Sequence, residues 1–160
     1  MAKSNDNSKA ALIDELNGLL ADHFALYMKT KNFHWHVVGR HFRDLHLLFD
    51  EQAAQIQTQT DVIGERVRKQ NGMTLTSAGS ISKHTQIKDQ DSTSLKAEEM
   101  ITELRDDNVL VIERLKKLKD LAEQAGDNAT DGLLDDWTDE AEERVWMLSS
   151  FLDQQVPTVD

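Results

Sequence analysis

Cysteine is absent from this 160-residue sequence, and its one proline is Pro157. The first absence excludes disulfides and thiolate metal sites. The second, with only 7 glycines, leaves little to interrupt long helices. No apolar run reaches the roughly 18 residues of a membrane span. The opening MAKSNDNSKAAL lacks the apolar core of a secretory signal. These features predict a soluble cytoplasmic protein without a membrane partner. Basic residues are outnumbered, 18 against 29 acids, for a formal charge of −11. A field of that sign repels nucleic-acid phosphates and attracts cations. The length suits one domain with its own core.

Hydrophobic spacing predicts an all-α chain. A first helix is expected from about Lys9 to Val37, with Leu12, Leu16, Leu19, Leu20, Phe24 and Tyr27 in register. Val38-Gly39-Arg40 breaks it. A second is expected over His41–Lys69, closed by Asn71-Gly72, a third over Ser94–Gln124 and a fourth over Asn128–Asp153. Asp127 is placed to cap the last of these. Between the second and third lies a Ser/Thr/Gly-rich stretch in which only Ser77–His84 suits a short helix. Short links make antiparallel hairpins, whereas the long middle connection can travel the length of a bundle. The expected fold is a ferritin-like four-helix bundle, with a long crossover carrying a short helix between its second and third long helices. Residues 1–8 are expected as a flexible tail, 9–153 as the domain and 154–160 as a short C-terminal tail.

Such bundles often hold two metals in their core through Glu-x-x-His pairs, but this sequence has none. Metal-type side chains gather elsewhere. His46 and Asp50 lie at i, i+4, as do Asp61 and Glu65, and all four fall within an arc of about 100° on one helix. Asp50 and Asp61 are nevertheless about 16 Å apart along the axis, too far to share an ion. The conflict disappears if two copies of the helix pack antiparallel about a two-fold axis, with His46/Asp50 of one chain facing Asp61/Glu65 of the other. The axis would then pass near Ala53-Ala54-Gln55-Ile56, where small side chains permit close approach. His34, across the hairpin turn, lies nearly level with His46. Mixed imidazole and carboxylate ligands suit ferrous iron, manganese or zinc. The alternative is an ordinary charged helix face. The absence of Lys and Arg between residues 44 and 65 weighs against it, because uncompensated acids in a row repel one another.

The stretch KTKNFHWHVVGRHFRDLHLLFDEQ…TDVIGERV, residues 29–67, resembles the Dps family, mini-ferritins known as DNA-binding proteins from starved cells. His34, His46, Asp50, Asp61 and Glu65 match that family's ferroxidase spacing position for position, and the helix plan extends the likeness over about residues 8–153. The resemblance implies a hollow dodecamer with 23 symmetry. It implies two irons per inter-subunit site, with zinc or manganese as other occupants. Ferrous iron would be oxidised, with hydrogen peroxide preferred to dioxygen, and stored as a ferric mineral, protecting the cell from oxidative damage. His34 and His46 would anchor one iron, Asp50 and Glu65 bind or bridge, and Asp61 hold the second. Trp35 is a candidate electron donor, with hydrophobic packing as its other role. Asp127, Asp131 and Asp135 are candidates to line an iron-entry pore, with Asp136 an alternative to Asp135; helix N-terminal charge is the competing role. Departures from the family pattern are Arg40, Gly64 and the extra His36. None removes a ligand.

Two other functions stand beside the ferroxidase. One is a nucleoid-associated protein that compacts DNA. The N-terminal tail offers only Lys3 and Lys9, opposed by Asp6, and QQVPTVD has no base, so weak or absent DNA binding is expected. The other is a cage that buffers divalent ions without turnover, using the same ligands.

Overall fold

The structure, a computed structural model, describes residues 2–159, with side chains from residue 7. Five helices follow in order: α1 (Ala2–His36), α2 (Phe42–Lys69), α3 (Ala78–His84), α4 (Ala97–Ala125) and α5 (Asn128–Phe151). The described residues contain no strand. The fold is the expected ferritin-like bundle, α3 being the short helix of the crossover.

Side-chain contacts fix the helix directions. Along α1 and α2, Lys31 meets Asp50 and His23 meets Gln59, so these helices run antiparallel. Lys29 meets Asp107 and Arg114 meets Glu15, so α4 is antiparallel to α1 as well. It follows that α2 and α4 are parallel. The crossover explains how the chain manages this. Asn17 donates to the Met73 carbonyl, Asp22 accepts from Thr85 and the Gln86 backbone N–H, and Asn32 donates to the Gln90 carbonyl. The connection therefore runs along α1 from its N-terminal half toward its C-terminus and delivers α4 to the far end. Ser77 and Ser80 close a capping box that starts α3 on the way.

Leucine, isoleucine and valine from the four long helices form one buried core, joined by Phe33, Phe49, Met100 and Trp137. Gly126 ends α4 in the left-handed region at φ 68°, and the Asp127 N–H returns to the Ala122 carbonyl at 2.9 Å. A side chain there would strain that turn. Gly18 serves close approach instead. A Cβ on it would lie 2.0 Å from Arg114 Nη1, whose guanidinium crosses α1 to reach Glu15 and Asp22.

Two boundaries differ from expectation. α1 begins at Ala2 rather than Lys9, because residues 2–8 contain no glycine or proline to stop a helix extending outward. The last residues do not extend freely from α5. Gln154 accepts from Arg105 at 2.5 Å, and the Val159 carbonyl accepts from Lys116. Met1 and Asp160, the ends of the two expected tails, lie outside the described residues, as do the side chains of Lys3 and Asp6. No described helix is long and apolar enough to cross a membrane.

Candidate metal centre

His34 comes from the last turns of α1 and His46 from the second turn of α2, and the tight turn through Gly39 (φ 111°) sets them side by side. Their rings stack with centroids 3.8 Å apart at 17°. Each also contacts the other's backbone: His34 Nδ1 lies 2.6 Å from the His46 carbonyl and His46 Nδ1 lies 2.8 Å from the His34 carbonyl. A carbonyl only accepts, so both Nδ1 atoms carry the proton, and in the neutral ring Nε2 holds the lone pair. This is how metal-binding imidazoles are commonly oriented, with one nitrogen held by a neighbour and the other left for the ion. Asp50, one turn after His46, lies beside this pair, with Oδ1 3.8 Å from His34 Nε2.

Asp61 and Glu65 lie farther down α2 and are exposed. Within the chain they do not join the histidines: no group of three His, Asp or Glu side chains able to hold an ion occurs among the described residues. The expected ligands are thus divided, three at one end of α2 and two toward the other.

Two basic groups missed by the sequence argument lie against this stripe. Lys31 Nζ donates to Asp50 Oδ1 at 2.7 Å, and Lys69 reaches Glu65 Oε2 at 3.5 Å. The hydrogen bond from Lys31 holds the Asp50 carboxyl below its ordinary range, with smaller help from the Lys31, His34 and His46 charges. Lys31 lies outside residues 44–65, on α1, and reaches Asp50 only across the helix pair. Its place three residues before His34, on the same helix face, was the available signal. Trp35 is 56 % exposed and does not pack in the core; the Lys31 ammonium stands 5.6 Å from the centroid of its ring.

His36 and His84 make local contacts, and His41 makes no capping hydrogen bond. His36 contacts the Asn32 carbonyl and side chain at 2.8 and 2.7 Å, His84 contacts the Ser80 carbonyl, and His41 is exposed at the start of α2 without capping it.

The three aspartates considered for an iron-entry pore are all engaged by basic side chains. Asp127 caps α5 through the Thr130 N–H at 3.1 Å and pairs with Arg66 at 3.0 Å, its side chain only 9 % exposed. Burial opposes its ionisation, but hydrogen bonds from Thr130 and the Arg66 charge outweigh burial and hold its carboxyl below the usual range. Within the chain Asp127 thus serves as a helix cap and as the partner of Arg66. Asp131 and Asp135 both hold Lys119, at 3.0 and 2.5 Å. Asp136 is exposed.

Comparison with known proteins agrees with this architecture. A family model described as a ferritin-like domain matches residues 13–155. A DNA protection during starvation protein of Brevibacillus brevis is 33 % identical over 138 residues, 86 % of this chain and 92 % of that one. The crystal structure of a Dps protein from Bacillus brevis superposes with a TM-score of 0.88 at 32 % identity, covering 91 % of this chain and 97 % of the other. A Dps protein from Vibrio cholerae O1, described as a member of a superfamily of ferritin-like diiron-carboxylate proteins, gives 0.86 at 29 % identity over 91 % of each chain. The family model, the sequence relative and the superposed structures all span most of this helical bundle, and the chain belongs to the Dps family of ferritin-like proteins.

Proposed function

We propose that this protein is a cytoplasmic ferroxidase and iron-storage cage whose oxidation site forms between two copies of the chain. The observation that carries the proposal is the reciprocal His34–His46 pair, which commits both Nδ1 atoms to carbonyls and sets His34 Nε2 beside Asp50. Asp61 and Glu65 of a second, antiparallel α2 would close the set. The exposed apolar residues Phe24 and Met28 on α1, with Leu47 and Val62 on α2, support burial of this surface by a partner. Ala54 lies in the same arc and allows two α2 helices to approach.

In this reading ferrous iron is the substrate. His34 and His46 would hold one ion, Asp50 and Glu65 would bind or bridge, and Asp61 would hold a second. Two ferrous ions each give up one electron to hydrogen peroxide, the favoured oxidant, which takes up two protons and leaves as two waters. Hydroxyl radical is avoided because both electrons arrive together. The ferric product would be stored as mineral inside a shell of twelve subunits, and removing iron and peroxide together would protect the cell. Zinc or manganese suits the same ligands. The exposed Trp35 beside Lys31 is proposed as an electron donor to the site. Cations would reach the interior past Asp127, Asp131 and Asp135, with Asp136 an alternative to Asp135, exchanging with Arg66 at the first and Lys119 at the next two.

Stopped-flow oxidation of ferrous iron by peroxide tests the site. The double variant His46→Ala, Asp50→Ala is expected to lose at least about 100-fold in rate, or about 2.7 kcal/mol of barrier. Equal rates in parent and variant would refute the ferroxidase and favour a cage that only buffers ions.

A further inference from the structure

Asp50 Oδ1 has two neighbours of different kinds: His34 Nε2 at 3.8 Å and the Lys31 ammonium at 2.7 Å. A cation bound by His34 and Asp50 needs that carboxylate oxygen, and the ammonium already holds it. Lys31 is also held in place from a second side. Its side chain is only 16 % exposed, unusual for a lysine, and its Nζ stands 5.6 Å from the centroid of the Trp35 ring. The i, i+4 spacing of Lys31 and Trp35 on α1 makes that contact local, so it does not depend on a partner chain.

We infer that Lys31 is a resident counter-ion of the metal site, which occupies the Asp50 carboxylate until a divalent ion displaces it. This rests on the proposed metal site and adds to it a residue that sets affinity without being a ligand. A divalent ion beside His34 and Asp50 breaks the Lys31–Asp50 pair and also meets the repulsion of the ammonium if it stays. Both effects weaken binding, and both vanish with the charge. Lys31 is a positioning residue: with no ion bound it holds the carboxylate at the imidazole edge, and on loading its ammonium swings toward the Trp35 ring face and solvent. The site thereby responds more weakly to trace divalent ions than its ligands alone would allow.

Zinc binding to the assembled protein tests this, measured by calorimetry because zinc undergoes no turnover. Lys31→Met keeps the stem and removes the charge, and Lys31→Gln does so with a polar end. Either is expected to tighten zinc binding about tenfold, equivalent to about 1.4 kcal/mol. Lys31→Arg, which keeps the charge, should remain within about threefold of the parent. Light scattering on each variant confirms the assembly. Unchanged or weaker binding in both neutral variants, with the parent binding zinc, overturns the role of Lys31 and leaves the metal site standing. Absence of zinc binding in the parent and in every variant overturns the metal site itself, and the role of Lys31 with it.

Discussion

His23 and His34 lie about three turns apart on α1, both buried, and differ in what their Nε2 atoms face. For His34 it is the Asp50 edge at 3.8 Å; for His23 it is Gln59 Oε1 at 2.6 Å, inside the bundle. Gln59 in turn donates to Glu140, tying α1, α2 and α5 together at one level. Burial lowers the His23 pKa to about 4, with the Arg144 charge acting the same way and the hydrogen bonds to Gln59 and Leu19 opposing it. The unfolded chain therefore binds a proton at His23 between pH 6.5 and about 4 that the native protein does not. Stability should fall by about 3 kcal/mol as pH drops through that window and level off below it. Denaturant melts across the range, repeated with His23→Gln, check this: the variant should lose most of the slope. A slope equal to that of the parent would assign the acid sensitivity to other groups. The five candidate ligands were legible as residues because their spacing survives in the sequence; Lys31 was not, because its partner Asp50 lies across a helix pair.

Among the elements, α5 shows how one residue can serve two structures. Asp127 accepts from the Thr130 N–H at the first turn and also pairs with Arg66 near the end of α2. Asp127→Ala should cost about 1–2 kcal/mol for the lost cap, and more because Arg66 is left without its carboxylate. Asp127→Asn keeps the cap and should recover part of that loss. Thermal midpoints of the three proteins, taken at one concentration, measure both effects. The helices themselves were readable within a few residues, since apolar periodicity and the breaks at Gly39, Asn71-Gly72 and Gly126 are local features. The start of α1 was not, because helical backbone can continue past the last core residue wherever nothing stops it. Nor was the inward turn of Asp127. Its sequence position suggests the cap but not the pairing with Arg66, which lies 61 residues away in the chain.

For the whole molecule the proposed site and the proposed assembly stand or fall together. Ala54→Arg places a long charged side chain where two α2 helices are proposed to meet. It should shift the protein toward smaller species in light scattering and abolish peroxide-driven iron oxidation, while far-UV circular dichroism stays unchanged. Full activity in a monomeric variant would place the site within one chain. A second whole-molecule prediction follows from charge. At −11 per chain, the proposed shell would repel duplex DNA, so a gel shift at neutral pH and moderate salt should show no stable complex. Tight retention would instead favour a nucleoid-compacting role.

The sequence by itself determined the helical plan, the parallel crossover and the separation of the candidate ligands along α2, because all three depend on spacing along the chain and on the fixed rise of a helix. The tertiary structure decided what each polar side chain does with its neighbours. It turned the His34 and His46 rings by pairing Nδ1 with carbonyls across the hairpin, drew Asp127 inward to Arg66, gave Asp131 and Asp135 to Lys119, and set Lys31 on Asp50. These choices are made between residues far apart in the chain, where periodicity carries no information and only packing brings the charges within reach.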